Sequence, residues 1–318
     1  MDQIPSSPTD EERGVRPILG EFLIILVGLA LSFLLVNALA LVLTIAGVTD
    51  PCRAARKPLV PLFAAIWLLL LRPRKADFIR WLGWAKPSAG PSVPHLIFLG
   101  FLGGAIPLMA MLAGLYSAGA RIVDLRLSFA EMPLSFGLYL IQALILGLLE
   151  ESLFRGILHH RFRLDRRGVG ASIAALFAAV VFSAAHFLRP PKEHPPQAWW
   201  DTATACLLGL EQVVTRFPSA FGLFLVGLVL VVLRRRFGSI WLPLGVHAGW
   251  VWITKISRKT LDDVKEITEA RPLFWGSEQV YDGIVGWSAL ILTLLICLWI
   301  KPSRTVCDST PQVAQAKP

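Results

Sequence analysis

Apolar runs long enough to cross a lipid bilayer constrain this chain more than any other feature. They fall at 18–48, 58–71, 95–120, 133–162, 171–188, 217–233, 239–256 and 283–300, separated by polar, proline-rich or arginine-rich stretches. A helix needs about 20 apolar residues to span the hydrocarbon core, and several of these runs reach or approach that length. The expectation is an all-α polytopic membrane protein with about eight transmembrane helices in one bundle. Residues 1–17 read as a polar N-terminal tail, 18–300 as the bundle and 301–318 as a polar C-terminal tail.

Composition agrees with that class. Of 318 residues, 55% are hydrophobic and 17% charged, where a soluble domain has nearer a quarter charged. Mean hydropathy is +0.61. The formal net charge of +9 does not point to nucleic acid, because the Lys and Arg residues sit in loops between apolar runs. There they orient spans and contact anionic lipid. Cys52, Cys206, Cys297 and Cys307 have no metal-ligand spacing and suggest no disulfide framework. The first sixteen residues are polar and the first apolar run is too long for a cleaved signal. Asn37 is the only asparagine, a bias of GC-rich bacterial genomes, so the expected location is a bacterial inner membrane with multiple passes. Trp81 and Trp84 suit an interfacial belt, and 199–216 suits an amphipathic surface helix.

Within 148–162 the polarity breaks the pattern. Glu150 and Glu151 continue an apolar run, and Arg155 follows four residues after Glu151. On a helix that spacing sets Glu151 and Arg155 on one face, in the better orientation for an ion pair. Glu150 points about 100° away. An ionisable group at membrane depth is a functional-site hypothesis by default. The turn between the fourth and fifth runs centres near 166–167, so Glu150 lies level with position 183 in an antiparallel hairpin. That is between Phe182 and His186. At 1.5 Å per residue, His247 sits about 15 Å in from the turn before the seventh run. Glu150, Glu151, Arg155, His186 and His247 are therefore expected to converge. His159, His160 and His194 lie in polar surroundings and are expected to be solvated.

Such a cluster suits water activation. Carboxylates enclosed by apolar surroundings become useful general bases, and adjacent ones titrate as a pair. One histidine faces Glu150 to help deprotonate water, and a second donates to a tetrahedral oxyanion. No His-Glu-x-x-His or Gly-x-Ser-Gly pattern is present. A zinc ion held by Glu and His is the competing arrangement; a proton-relaying transporter is another.

Glu150-Glu151-x-x-x-Arg155, Phe182-x-x-x-His186 and His247, in that order, resemble the three motifs of the CPBP family of CAAX proteases and bacteriocin-processing (Abi) enzymes. The resemblance covers about 134–256, the expected catalytic core. It implies a glutamic-type, metal-independent intramembrane endopeptidase without a cofactor, acting on a membrane-anchored protein or peptide. It assigns Glu150 and His186 to water activation, His247 to the oxyanion site and Arg155 to Glu151. Phe182 and Trp250 are the expected substrate contacts. The family often has Asn or Asp four residues after the third-motif histidine; Val251 stands there, with Trp250 or Thr254 as alternative donors. The runner-up function is a membrane binding or immunity scaffold with degraded catalysis.

Overall fold

A computed structural model describes residues 10–56, 62, 65–66, 78–85, 91–161, 169–191, 194–276 and 279–300. Most of the second expected span, most of the turn after the fourth, and the C-terminal tail lie outside the described residues. Where the sequence suggests one bundle over 18–300, the chain divides into two compact units. One is Met1–Lys75 with Phe187–Gln212; the other is Ala76–His186 with Val213–Pro318. The expected core at 134–256 is thus interrupted by residues of the first unit.

In the first unit, α1 (Asp10–Ile45) starts inside the expected tail, since acidic sequence is compatible with a helix start. α2 (Pro51–Arg56) follows. Phe33, Val36, Ala40 and Ala55 pack with Ala203 and Cys206. Asn37 ties the segments together: Nδ2 donates to the Trp200 carbonyl at 2.9 Å, and Oδ1 accepts from the Ala203 N–H at 2.9 Å. The expected surface helix at 199–216 is instead broken. A 3₁₀ turn at Trp199–Asp201 leads into a helix at Thr202–Leu208, then a second 3₁₀ turn at Gly209–Glu211 and one last turn at Gln212–Thr215. Thr202, Ala203, Ala205 and Cys206 are buried, so this is packed structure rather than a surface stripe. A Cβ on Gly209 would stand 2.0 Å from the Arg189 carbonyl, so the backbone contact demands glycine.

The second unit contains the short α3 (Phe78–Trp81) and α4 (Val93–Ser117), then β1 (Arg121–Val123) and α5 (Met132–Glu151). After α5 come α6 (Val169–Ala185) and, with Thr202–Leu208 of the first unit counted as α7, α8 (Phe217–Phe237). α9 (Trp241–Thr260), β2 (Leu261–Asp263) and α10 (Gly283–Trp299) complete it. α4 and α9 touch backbone to backbone. A Cβ on Gly100 would lie 2.4 Å from the Leu242 carbonyl, and one on Gly245 would lie 2.1 Å from the Ile97 carbonyl. Lipid gives no hydrophobic force between helices, so small residues that permit such approach supply the association. This packing fixes α9 and with it His247. Gly238, in the left-handed region at φ 67°, ends α8 and allows α9 to start almost at once.

Residues 257–282 are not a plain polar loop. β2 pairs antiparallel with β1 in the register Arg121↔Asp263, Ile122↔Asp262, Val123↔Leu261. Arg121 Nε meets Asp263 Oδ1 at 2.9 Å. Among the described residues, four helical stretches are long and apolar enough to cross a membrane: Val27–Ile45, Val93–Ser117, Met132–Leu158 and Phe217–Phe237. Ala175–Ala185 and Gly283–Trp299 are apolar but shorter. Leu134, Leu138, Ile141 and Ile145 stand exposed along α5. Leaving that much apolar surface uncovered suits lipid rather than water. The protein is an all-α membrane protein, with one small two-stranded sheet among the described residues.

Candidate active site

The helix that begins at Met132 changes character where its polar residues start. α5 is regular to Glu151, and Ser152–Leu158 is π-helical, followed by one further turn at His159–Arg161. π-helical segments are rare and frequently mark functional sites. Every residue from Ser152 to Leu158 is buried. The stretch just after α3 packs against this segment. Trp84 Nε1 donates to Ser152 Oγ at 2.9 Å, and a Cβ on Gly156 would lie 2.4 Å from the Leu82 carbonyl. Trp84 is half-buried there.

The expected ion pair is present and enclosed. Glu151 is fully buried, and its Oε1 accepts from Arg155 Nη1 at 3.2 Å and from His247 Nδ1 at 2.9 Å. Because an ionised carboxylate only accepts, His247 Nδ1 is the donor, and its Nε2 turns toward Glu150 Oε2 at 3.7 Å. Arg155 is also fully buried; Nη2 donates to the Gly227 carbonyl at 3.1 Å. Its guanidinium carbon lies 4.3 Å from the centre of the Phe182 ring, close enough for a cation–π attraction.

His186 approaches from the end of α6. Its Nδ1 is 2.9 Å from the Phe182 carbonyl, an acceptor, so Nδ1 carries the proton and Nε2 presents a lone pair. That Nε2 is 3.8 Å from Glu150 Oε2. Glu150 is 7% exposed and its Oε2 has no hydrogen-bond partner among the described residues. Two imidazole nitrogens thus face one carboxylate oxygen, each beyond direct hydrogen-bond reach, on the side of the cluster that His186 leaves open. His186, with 31% of its side chain exposed, is the open side of the cluster, while His247 has 6%.

Glu150, Glu151, Arg155, His186 and His247 therefore come together. The two expected substrate contacts fare differently. Phe182 is 1% exposed, with ring centres 4.6 Å from His186, 6.2 Å from His247 and 5.1 Å from Phe154. It is a platform beneath the cluster, buried because it fills the space between Arg155 and the two imidazoles. Trp250 is 5% exposed and gives its N–H to Thr293 Oγ1 at 3.3 Å, toward α10. His159 is buried rather than solvated; His160 and His194 are exposed. Residues the sequence reading missed are Ser152 with Trp84, Gly227, and Arg234, whose Nε donates to the Arg155 carbonyl at 3.1 Å. Only Arg234 had a signal, a cation directly after an apolar run. A cavity of about 620 Å³ lies in the first unit, lined by Asp50, Arg53, Trp199, Trp200 and several prolines; it holds none of these site residues. Among the described residues, no three His, Cys, Asp or Glu side chains are grouped to hold a metal ion.

Comparison with known families bears directly on this cluster. Residues 132–253 match the family model described as type II CAAX prenyl endopeptidase Rce1-like. This stretch is similar to an Rce1-like domain. It contains every residue of the cluster and ends within α9, and it supports the CAAX-protease family resemblance seen in the three motifs. The likeness over this stretch points to protease activity in a membrane setting. No curated protein and no solved structure matches the chain.

Proposed function

We propose that this protein is an intramembrane endopeptidase of glutamic type, hydrolysing a peptide bond in a membrane-associated protein or peptide. The observation that carries the reading is the pair of Nε2 atoms, on His186 and His247, facing Glu150 Oε2 at 3.8 and 3.7 Å. A water seated beside these atoms, on the open side, gives one hydrogen bond to Glu150 and one to the His186 lone pair. Glu150 takes the water proton as the oxygen attacks the scissile carbonyl carbon. The carbonyl π electrons move to oxygen, and His247 in its imidazolium form donates from Nε2 to that oxyanion while Glu151 holds Nδ1–H. Collapse breaks the C–N bond, and the proton held by Glu150 passes to the departing amine. No metal is assigned a part. Arg155 serves by holding Glu151 in register.

A second reading, a membrane scaffold that binds a peptide without turnover, draws on a specific feature. Val251 offers no donor where the family often has one, and the Trp250 N–H is taken by Thr293. The deciding experiment incubates the purified protein in liposomes with a library of membrane-anchored peptides and reads products by mass spectrometry. Cleavage that falls at least 100-fold in Glu150→Gln supports the peptidase, since general-base catalysis contributes roughly 10²–10⁴-fold. Peptide capture by wild type without products supports the scaffold.

A further inference from the structure

α8 carries none of the residues expected to do chemistry, yet it holds Arg155 at two points. The Gly227 carbonyl accepts from Nη2, and Arg234 Nε donates to the Arg155 backbone carbonyl, both at 3.1 Å. Gly227 and Arg234 occupy i and i+7 positions, two turns apart on one face of the helix. Arg155 therefore lies along α8 with its head at one contact and its backbone at the other.

Arg234 opens a run of three arginines that reads as an interfacial cluster. Burial separates it from that role. Arg234 is 7% exposed, whereas Arg236 is exposed and bonds the Leu298 carbonyl at 2.7 Å. The carbonyl Arg234 engages belongs to the π-helical segment, a conformation that persists where its surroundings determine it. α8 is also seated against α6: a Cβ on Gly227 would lie 3.0 Å from Ala179 Cα. One helix thus references both the π-helical segment and the helix that bears Phe182 and His186.

We propose that Arg234 is a positioning residue for the Glu150 site. Resting on the peptidase reading, it acts by contact in sequence. Arg234 fixes the Arg155 backbone, the Arg155 guanidinium fixes Glu151, and Glu151 fixes His247 Nδ1–H, which aims Nε2 at Glu150. Releasing the first link lets the π-helical segment relax toward α-helical register and turns the His247 ring away. Small misplacements of this kind cost on the order of 100-fold in rate.

The test uses the full chain in liposomes with two variants, Arg234→Met and Arg234→Lys, and two readouts: kcat and KM on a cleaved peptide, and ¹⁵N resonances of the His247 ring. Arg234→Met is expected to lower kcat on the order of 10- to 100-fold with KM within about twofold, and to shift the His247 resonances. Arg234→Lys, with one amine in place of Nε, is expected to fall between that variant and wild type in both. A wild-type kcat and an unshifted His247 signal in Arg234→Met overturn the proposal, as does a lowered kcat with unshifted resonances, which makes Arg234 a residue of the fold alone. Should Arg234→Met fail to fold, Arg234→Lys decides by the same two readouts. If wild type cleaves no peptide, the peptidase reading fails by itself, and the His247 resonances still decide whether Arg234 sets the ring.

Discussion

Replacing Glu151 with glutamine should destabilise the protein by about 3 kcal/mol, while the same change at Glu150 should cost little. Glu151 is fully buried, and one oxygen serves both Arg155 Nη1 and His247 Nδ1. Glutamine keeps the shape and removes the charge, leaving Arg155 enclosed with 1% of its side chain exposed. Deleting one partner of a buried pair costs about 3–5 kcal/mol, because the other charge stays buried. The Gly227 carbonyl at 3.1 Å and the Phe182 ring at 4.3 Å remain to Arg155, which argues for the lower end. About 3 kcal/mol is roughly a hundredfold in the unfolding equilibrium. Glu150 Oε2 has no hydrogen-bond partner to lose among the described residues, so Glu150→Gln should stay within about 1 kcal/mol of wild type. The assay is unfolding in mixed micelles with increasing SDS. Tryptophan fluorescence follows it, since Trp84 bonds Ser152 inside the cluster. Adding Arg155→Met to Glu151→Gln should recover part of the loss, because an apolar replacement of a whole buried pair is often neutral. Equal destabilisation by the two single changes, or a larger loss at Glu150, would refute the division of roles.

Cleavage should survive EDTA and 1,10-phenanthroline; inactivation with recovery on adding zinc would make Glu150, His186 and His247 metal ligands instead. At the start of α5, the Glu131 carboxyl is held below the usual carboxylate range, chiefly by the Ser128 backbone N–H and then by its hydroxyl. A lowered folded-state value stabilises above the unfolded value and is lost as pH falls through the folded one. Ser128→Ala should therefore raise the Glu131 titration part of the way back, read by ¹³C carboxyl NMR, and leave cleavage unchanged.

Sequence spacing captured the cluster because its logic is local or depends on depth. Glu151 and Arg155 are an i,i+4 pair, and counting residues from a turn sets Glu150 level with position 183, between Phe182 and His186. What escaped was anything set by contact between distant segments. The π-helical segment from Ser152 meets Trp84 at Ser152 and Leu82 at Gly156, residues remote in sequence. The broken structure at 199–216 follows from Gly209 meeting the carbonyls of Phe187 and Arg189. Phe182 was legible as a motif residue but not as a platform, since its burial depends on three other side chains closing over it. The pairing of β1 with β2 joins two polar stretches whose alternation is too short to register as strands.

The adjacency of the two glutamates becomes intelligible on these terms. Neighbours on a helix point about 100° apart, so two identical side chains enter different surroundings without any change of depth. Glu151 meets a cation, an imidazole N–H and no solvent, and is spent on structure. Glu150 meets two imidazole nitrogens just beyond direct hydrogen-bond reach, and its Oε2 has no hydrogen-bond partner among the described residues. Under the proposed mechanism, the carboxylate that holds His247 Nδ1–H and Arg155 is not the one that receives the water proton. On that proposal, the division needs the following turn to send Arg155 toward Glu151 and away from Glu150, because a guanidinium beside Glu150 would compete for the oxygen assigned to the water. The π-helical segment from Ser152 to Leu158 carries Arg155 across to Gly227 and the Phe182 face, and so keeps the cation on the structural glutamate.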